Sequence, residues 1–258
     1  MSVLESIIAG VKLDQATRQL SDSDLVALLK RAPAVRKPLD YLKRDPFSVI
    51  AEVKRSSPSK GALAAIPEPQ ILARTYQDAG ANLVSVLTEQ RRFGGSLQDF
   101  DAVRKEITLP MLRKDFIVND YLVRESRAHG ADLILLIVAA LTDLELVQLY
   151  ELTATLGMTS LLEVHDEWEL DRALALDPEI IGVNARNLHT LEVDLSAFER
   201  LIPTIPHHIY KVAESGISTV EEAEQARAAG ADAILVGEAL VRSKDPATLI
   251  DAFKKVRR

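Results

Sequence analysis

The chain of 258 residues contains no cysteine. That removes disulfides, thiolate nucleophiles, iron–sulfur clusters and thiolate zinc sites together, and it fits a reducing, cytoplasmic compartment. Positive charge is also in short supply. With 31 Lys+Arg against 38 Asp+Glu the formal net charge is -7. A general nucleic-acid binder would show a basic excess or stripe, so none is expected as a partner, although local anion sites remain open. No apolar stretch approaches the ~18 residues of a membrane span. The longest, Leu133 to Leu141, is of strand length. The N-terminus, MSVLESIIAGVKLD, lacks both the basic region and the apolar run of a signal peptide.

What is present is enough for a large core. Hydrophobic residues make up 47% of the chain and charged residues 27%, which excludes global disorder. The length allows one or two domains, but α/β barrels routinely occupy ~250 residues as one.

The first 46 residues differ from the rest. They predict two short helices, roughly 2–11 and 22–31, the second opened by the capping residues Ser21 to Asp24. Pro33 and Pro38 then break the pattern, and Lys37 to Pro46 reads as a polar connector. From residue 48 short Ile/Val/Leu runs alternate with amphipathic helical stretches. The runs are Val49–Ala51, Leu83–Leu87, Met111–Leu112, Leu133–Val138, Ser160–Leu162, Ile180–Val183, Ile209–Val212 and Ala233–Val236. These are eight candidate strands, one every ~26 residues, the spacing of βα units. Continuous apolar runs suit parallel strands buried on both faces. A weak repeat agrees: Ala79-Gly80-Ala81-Asn82, His129-Gly130-Ala131-Asp132 and Ala229-Gly230-Ala231-Asp232 each precede a strand. Their glycines fall where a helix stops in a left-handed turn. The predicted fold is a (β/α)₈ TIM barrel with an N-terminal helical extension, one domain over 1–258. An open doubly-wound sheet is the alternative, weakened because no GxGxxG follows the first strand.

In a barrel, chemistry belongs at the C-terminal strand ends. Glu52 and Lys54, two apart, share a face after the first strand, either as a structural salt bridge or as paired mouth charges. After the third strand, alternation puts Arg113 and Lys114 on opposite faces, with Lys114 inward beside Leu112. A second lysine near Lys54 would lower an ammonium pKa, as a general acid needs. Glu163 ends the fifth strand. His165 is placed on the face opposite Glu163 and read as structural, while Asp166 suits the cap of the next helix. Asn184 and Arg186 share a face after the sixth strand, and Arg is the side chain best shaped for carboxylate or phosphate. Glu214, Ser215 and Gly216 end the seventh strand; Gly237 and Glu238 follow the eighth. Glycines after the last two strands mark the phosphate site expected of such barrels. No His/Asp/Glu cluster has metal spacing, and His207-His208 precedes a strand, at the wrong barrel end. The residues point to an acid/base enzyme, without metal or cofactor, acting on a phosphorylated anion.

Several motifs resemble one family. Ile50 to Gly61 (IAEVKRSSPSKG), Leu87-Thr88-Glu89 followed by Phe93-Gly94-Gly95-Ser96, Leu112 to Ile117 (LRKDFI), Leu162 to His165, Gly182 to Leu188 (GVNARNL), Ala213 to Ile217 (AESGI) and Val236-Gly237-Glu238 are similar to indole-3-glycerol-phosphate synthases. The motifs span about residues 47 to 241, and the extension resembles that family's extra helices over the barrel mouth. The resemblance implies a carboxy-lyase of tryptophan biosynthesis, working without metal or cofactor. It would close, decarboxylate and dehydrate 1-(2-carboxyphenylamino)-1-deoxyribulose 5-phosphate. It implies Lys114 as general acid, Glu163 and Lys54 as the remaining acid and base in an order left open, Glu52 holding the lysines, and Asn184 orienting the substrate. Ser57 and Arg186 would help bind the substrate, Phe93, Phe116 and Leu135 would pack its ring, and Glu214 and Ser215 would shape the pocket. The phosphate would sit near Ser215, Gly216, Gly237 and Glu238. Two positions depart from the family pattern. Leu122 lies in a helix and is expected to be neutral, while a carboxylate at Glu238 would repel phosphate, leaving only its backbone N–H to contribute. The expected state is a cytoplasmic monomer. An isomerase of a ribulose-like phosphate, or a non-enzymatic binding barrel, remains as an alternative reading.

Overall fold

The computed structural model describes residues 2–188 and 190–257; Met1 and Arg258, the ends of the expected domain, and His189 lie outside the described residues. Three helices come first: α1 (Val3–Arg18), α2 (Asp22–Arg31) and α3 (Pro38–Leu42). Eight strands follow: β1 (Ser48–Val53), β2 (Leu83–Leu87), β3 (Met111–Lys114), β4 (Leu133–Ile137), β5 (Thr159–Val164), β6 (Ile180–Asn184), β7 (Tyr210–Glu214) and β8 (Ala233–Val236). Each pairs in parallel with its sequence neighbours, and β1 also pairs with β8, closing a TIM barrel. Helices α4 (Pro69–Asp78), α5 (Leu97–Glu106), α6 (Asp120–Ala128), α7 (Asp143–Thr155), α8 (Glu167–Leu174), α9 (Ser196–Leu201) and α10 (Val220–Ala229) alternate with the strands, and α11 (Glu238–Arg242) and α12 (Pro246–Lys254) follow the last.

The strands form where expected because their side chains have apolar surroundings on both faces. Every residue of β2, β4, β6, β7 and β8 is buried. The repeated glycines end their helices left-handed, with φ of 88° at Gly80, 85° at Gly130 and 106° at Gly230. The polar residue after each then ties off a strand end. Asn82 accepts a hydrogen bond from the Val49 N–H, and Asp132 accepts one from Met111 N–H while pairing with Arg104.

Besides strand ends that shift by one or two residues, four features differ from expectation. Helix α1 continues to Arg18 instead of stopping near residue 11. Gly10 is not its end; a Cβ there would stand 2.8 Å from Arg91 Cδ, so the glycine makes room for a crossing side chain. The connector after Pro33 contains α3, with Pro38 in the first turn, where its missing N–H costs nothing. Strand β4 ends at Ile137, and Val138 begins a single 3₁₀ turn. The loop after β1 forms a small antiparallel pairing of Ser56–Ser57 with Gly61–Ala62.

The extension runs from one end of the barrel to the other. The start of α1 lies over the mouth, where Val3, Leu4 and Ile7 line the central cavity. Its other end is fastened to the barrel side by Arg18, whose guanidinium donates two hydrogen bonds to Glu125 of α6, at 2.9 and 3.0 Å. Helix α2 packs beside α6. Helix α3 crosses the opposite end: Leu42 is fully buried, and its carbonyl accepts from Tyr210 Oη at the start of β7.

Candidate active site

The C-terminal strand ends surround a cavity of about 540 Å³. All eleven side chains and backbone positions predicted from strands β1, β3, β5, β6, β7 and β8 line it: Glu52, Lys54, Ser57, Lys114, Glu163, Asn184, Arg186, Glu214, Ser215, Gly216 and Gly237, with Glu238 at the rim. Phe93, Phe116 and Leu135 form part of an apolar wall, the two rings tilted by 40° with centroids 6.2 Å apart.

Strand alternation explains the floor. Arg113 turns outward, fully buried, to Asp115 and Glu125, each at 3.0 Å. Lys114 therefore turns inward. Its Nζ donates to Glu163 Oε2 at 2.7 Å and to Glu214 Oε2 at 2.6 Å. Lys54 Nζ pairs with Glu52 Oε1 at 2.8 Å. In β6 the glycine at 182 makes the crossing possible: a Cβ there would stand 2.0 Å from Glu214 Oε1.

This geometry reverses the expected pKa of Lys114. Burial pushes the ammonium down, but the fields of Glu163, Glu214 and Glu52 outweigh it, and the pKa is raised above the ordinary lysine range. Lys54 is not the neighbour that matters, because it is engaged by Glu52. Burial also pushes on the two flanking carboxylates, with opposite outcomes. Glu163 is held well below the carboxylate range by Lys114 and His165 in spite of its burial. Glu214 is pushed up to about 7, because burial and the charge of Glu163 exceed the help from Lys114.

His165 is a second correction. It does not point away from Glu163. Its Nε2 lies 3.4 Å from Glu163 Oε1, and its Nδ1 lies 2.9 Å from Glu169 Oε2. Residues two apart share a strand face, and the chain keeps that parity at His165, one residue past the end of β5. Asp166 caps α8 as expected, accepting from Glu169 N–H at 2.8 Å.

At the rim, Asn184 Oδ1 accepts from Arg186 N–H at 2.9 Å, and Arg186 Nη1 donates to Leu191 O at 2.8 Å and Ser59 Oγ at 3.1 Å. Ser215 and Gly216 both have left-handed backbones, φ 67° and 79°. For the serine this is strain on the order of 1–3 kcal/mol, of the kind that persists at functional sites. The Glu238 carboxylate turns to Lys60 Nζ, 2.8 Å away in the loop after β1. Leu122 lies buried in α6 and outside the cavity wall.

Sequence reasoning assigned no role to Glu89. Its buried carboxylate accepts the N–H groups of Arg91, Arg92 and Phe93, at 3.0, 2.7 and 2.9 Å, and so folds the loop that presents Phe93. The signals were its position two residues after β2 and its place in the Leu87-Thr88-Glu89 motif, to which no residue-level role was attached. Val3, Leu4 and Ile7 had no residue-level signal either, since nothing in a helix pattern says which strand end it covers. Among the described residues, no group of three or more His, Asp or Glu is arranged to hold a metal ion, and no helix is long and apolar enough to cross a membrane.

Comparison with known proteins gives these residues a context. The family model for indole-3-glycerol phosphate synthase matches residues 4–253. The chain belongs to the indole-3-glycerol phosphate synthase family. An indole-3-glycerol phosphate synthase of Mycobacterium sp. (strain KMS) is 54% identical over 252 residues, covering 96% of this chain and 92% of the relative. One from Streptomyces griseus subsp. griseus is 54% identical over 248 residues, covering 95% and 92%. Among solved structures, thiamine phosphate pyrophosphorylase from Pyrococcus furiosus superimposes with a TM-score of 0.62 at 15% identity, over 83% of this chain and 96% of that one. At that identity the likeness concerns the barrel fold alone.

Proposed function

We propose that this member of the synthase family converts 1-(2-carboxyphenylamino)-1-deoxyribulose 5-phosphate to indole-3-glycerol phosphate, carbon dioxide and water, with the residues at the strand ends as its catalytic groups. The observation that carries the assignment is the Lys114 ammonium held between Glu163 and Glu214, on the floor of a cavity with an aromatic wall. The ring carbon bearing the carboxylate attacks the ribulose ketone, and negative charge grows on the ketone oxygen. Lys114 is the general acid. The alkoxide that forms is a strong base, so an ammonium with a raised pKa still protonates it, and its fixed positive charge stabilises the transition state. Loss of CO₂ restores the aromatic ring system. The remaining hydroxyl then leaves as water.

Glu163, ionised between two cations, suits the base that removes the last proton. The departing hydroxyl needs a donor, and Lys54, paired with Glu52 at 2.8 Å, lines the same cavity. Glu214, with a pKa near 7, carries a proton part of the time near neutrality and is a further donor at the same site. Asn184, Arg186 and Ser57 orient the carboxylate and hydroxyls, and Phe93, Phe116 and Leu135 hold the ring over the ketone in a near-attack geometry. The phosphate lies at the rim by Ser215, Gly216, Gly237 and the Glu238 N–H. The Lys60 ammonium supports this placement, because it neutralises the Glu238 carboxylate that would otherwise repel the anion. The reading carries with it a monomeric, cytoplasmic protein with a small phosphorylated substrate and neither a metal nor a cofactor.

The test is incubation with the carboxyphenylamino-deoxyribulose phosphate, following indole fluorescence and CO₂ release, with EDTA in a parallel run. Stoichiometric products, unaffected by EDTA, are expected. Lys114→Ala should lower kcat by at least ~10³-fold, the scale of losing both a proton donor and an oxyanion partner, while the protein folds and still binds substrate. Near-normal turnover of that variant would refute the assigned acid.

A further inference from the structure

The two carboxylates beside Lys114 are almost equivalent with respect to that lysine, at 2.7 and 2.6 Å. Both are about 2% exposed. The difference lies behind them. Glu163 Oε1 lies 3.4 Å from His165 Nε2, within ion-pair range but without a hydrogen bond, whereas Glu214 Oε1 has no hydrogen-bond partner and, among the described residues, that carboxylate pairs with no cation besides Lys114. His165 does not line the cavity. It is wedged between the end of β5 and the first turn of α8, where Glu169 Oε2 accepts from both its ring Nδ1 and its backbone N–H, each at 2.9 Å. A carboxylate–imidazole–carboxylate row thus runs from the cavity floor to the outer helix.

From this geometry we infer that His165 is a positioning residue that decides which of the two carboxylates flanking Lys114 serves as base and which carries the proton. The inference rests on the role given above to Glu163. An imidazole with a carboxylate on each side holds both ring protons and a positive charge. Burial opposes this, but Glu163 and Glu169 together push its pKa up to about 10. The charged groups around the floor are then Lys114 from β3, the Glu52–Lys54 pair at the end of β1, Glu214 from β7, Glu163 itself, and Glu169 from α8. Two buried carboxylates sharing one ammonium cannot both stay ionised cheaply. With His165 behind Glu163, the negative charge settles on Glu163 and the proton on Glu214. With a neutral side chain there, nothing separates the two, and part of the population holds the proton on the wrong partner. His165 acts through Glu163 and touches no reacting atom.

The experiment compares pH profiles of kcat/KM for the wild type, His165→Gln, His165→Lys, Glu169→Gln and Glu163→Gln. For His165→Gln the expected result is a kcat lowered by roughly 10- to 100-fold near neutrality, the range of a displaced general base. KM should stay within about two-fold, and the loss should deepen toward acid pH as Glu163 becomes easier to protonate. His165→Lys, which restores a cation, should recover part of the loss. Glu169→Gln, outside the cavity, should let His165 lose its proton at lower pH and add an inflection on the alkaline side. That inflection should vanish in the double variant with His165→Gln. A His165→Gln profile superimposable on the wild type, or lowered equally at every pH, overturns the inference. If His165→Gln fails to fold, the Glu169→Gln inflection decides alone, and its absence counts against the inference. Glu163→Gln separates the two readings. If it is inactive while the His165→Gln profile is unshifted, only the role of His165 fails; if it keeps wild-type turnover, the role of Glu163 fails and that of His165 with it.

Discussion

Replacing Gly182 by alanine tests how closely the floor is built. The new methyl would stand 2.0 Å from Glu214 Oε1, 3.1 Å from Glu214 Cδ and 3.3 Å from Leu161 Cδ1. Backbone φ is ordinary at this strand position, so the difficulty is space alone. Leu161 can yield by a few tenths of an ångström. The carboxylate must travel about 1.4 Å to reach normal contact at about 3.4 Å. That distance is enough to break its 2.6 Å bond to Lys114. Overpacking of this kind costs on the order of 1–3 kcal/mol of stability, which a protein of this size can absorb. Misplacement of a catalytic group by ~1 Å costs about 10²-fold in rate, equivalent to about 2.7 kcal/mol in the barrier. Gly182→Ala should therefore fold, lose about 100-fold in kcat, and move KM little. Steady-state indole fluorescence, with thermal unfolding in parallel, measures both. A folded Gly182→Ala protein with kcat within three-fold of wild type would refute the argument that Glu214 must sit where it does.

Other expectations follow from the same geometry. Arg113→Met leaves Asp115 without its partner in the barrel wall and should cost ~3–5 kcal/mol in urea unfolding, the scale for breaking a buried ion pair. A loss under 1 kcal/mol would mean that the buried network adds nothing. His165 has a folded pKa of about 10 against an ordinary 6.5. A raised pKa means the folded state binds the proton more tightly, so the stabilisation is complete below about pH 6.5 and fades as pH climbs through 10. The stability gap between wild type and His165→Gln should be widest near pH 6 and close by about pH 11; a gap constant with pH would contradict this. In the Lys60–Glu238 pair the lysine is exposed and the glutamate half-buried at the rim, so Glu238→Ser should change stability by less than ~1 kcal/mol. The same change should lower KM a few-fold at low salt by freeing Lys60 for phosphate. A raised KM would mean that the pair itself holds the substrate loop in place.

The barrel was legible because its eight runs are simple: short, branched, apolar and evenly spaced, with a glycine stop before three of them. The inward and outward division of Arg113 and Lys114 followed from alternation alone. The same rule, applied to Glu163 and His165, predicts one shared side, and that is where the structure has them; the contrary expectation treated a residue just past the strand as if it had changed face. The pKa of Lys114 was not legible, because it depends on which acidic groups from β5 and β7 converge on the nitrogen. Alternation gives a side of a strand, not a distance across a barrel. The pairing of Glu238 with Lys60 spans 178 positions in the chain, and neither residue alone carries a sign of the other. Glu89 was missed for a related reason: its work is done on the N–H groups of its own loop, which a side-chain pattern does not register.

Helix α3 with its buried Leu42 lies across the N-terminal ends of the strands, with Phe47 buried just before β1, and the barrel interior between them and the cavity is packed side chain, as in barrels generally. The cavity is therefore closed toward that end and belongs to the C-terminal strand ends, under the start of α1. On the proposed reaction, substrate and product occupy this same space in turn. Departure of the bulky product is then a condition for the next arrival, so accumulated product should compete directly with substrate, and turnover at saturation should report how quickly the cavity clears.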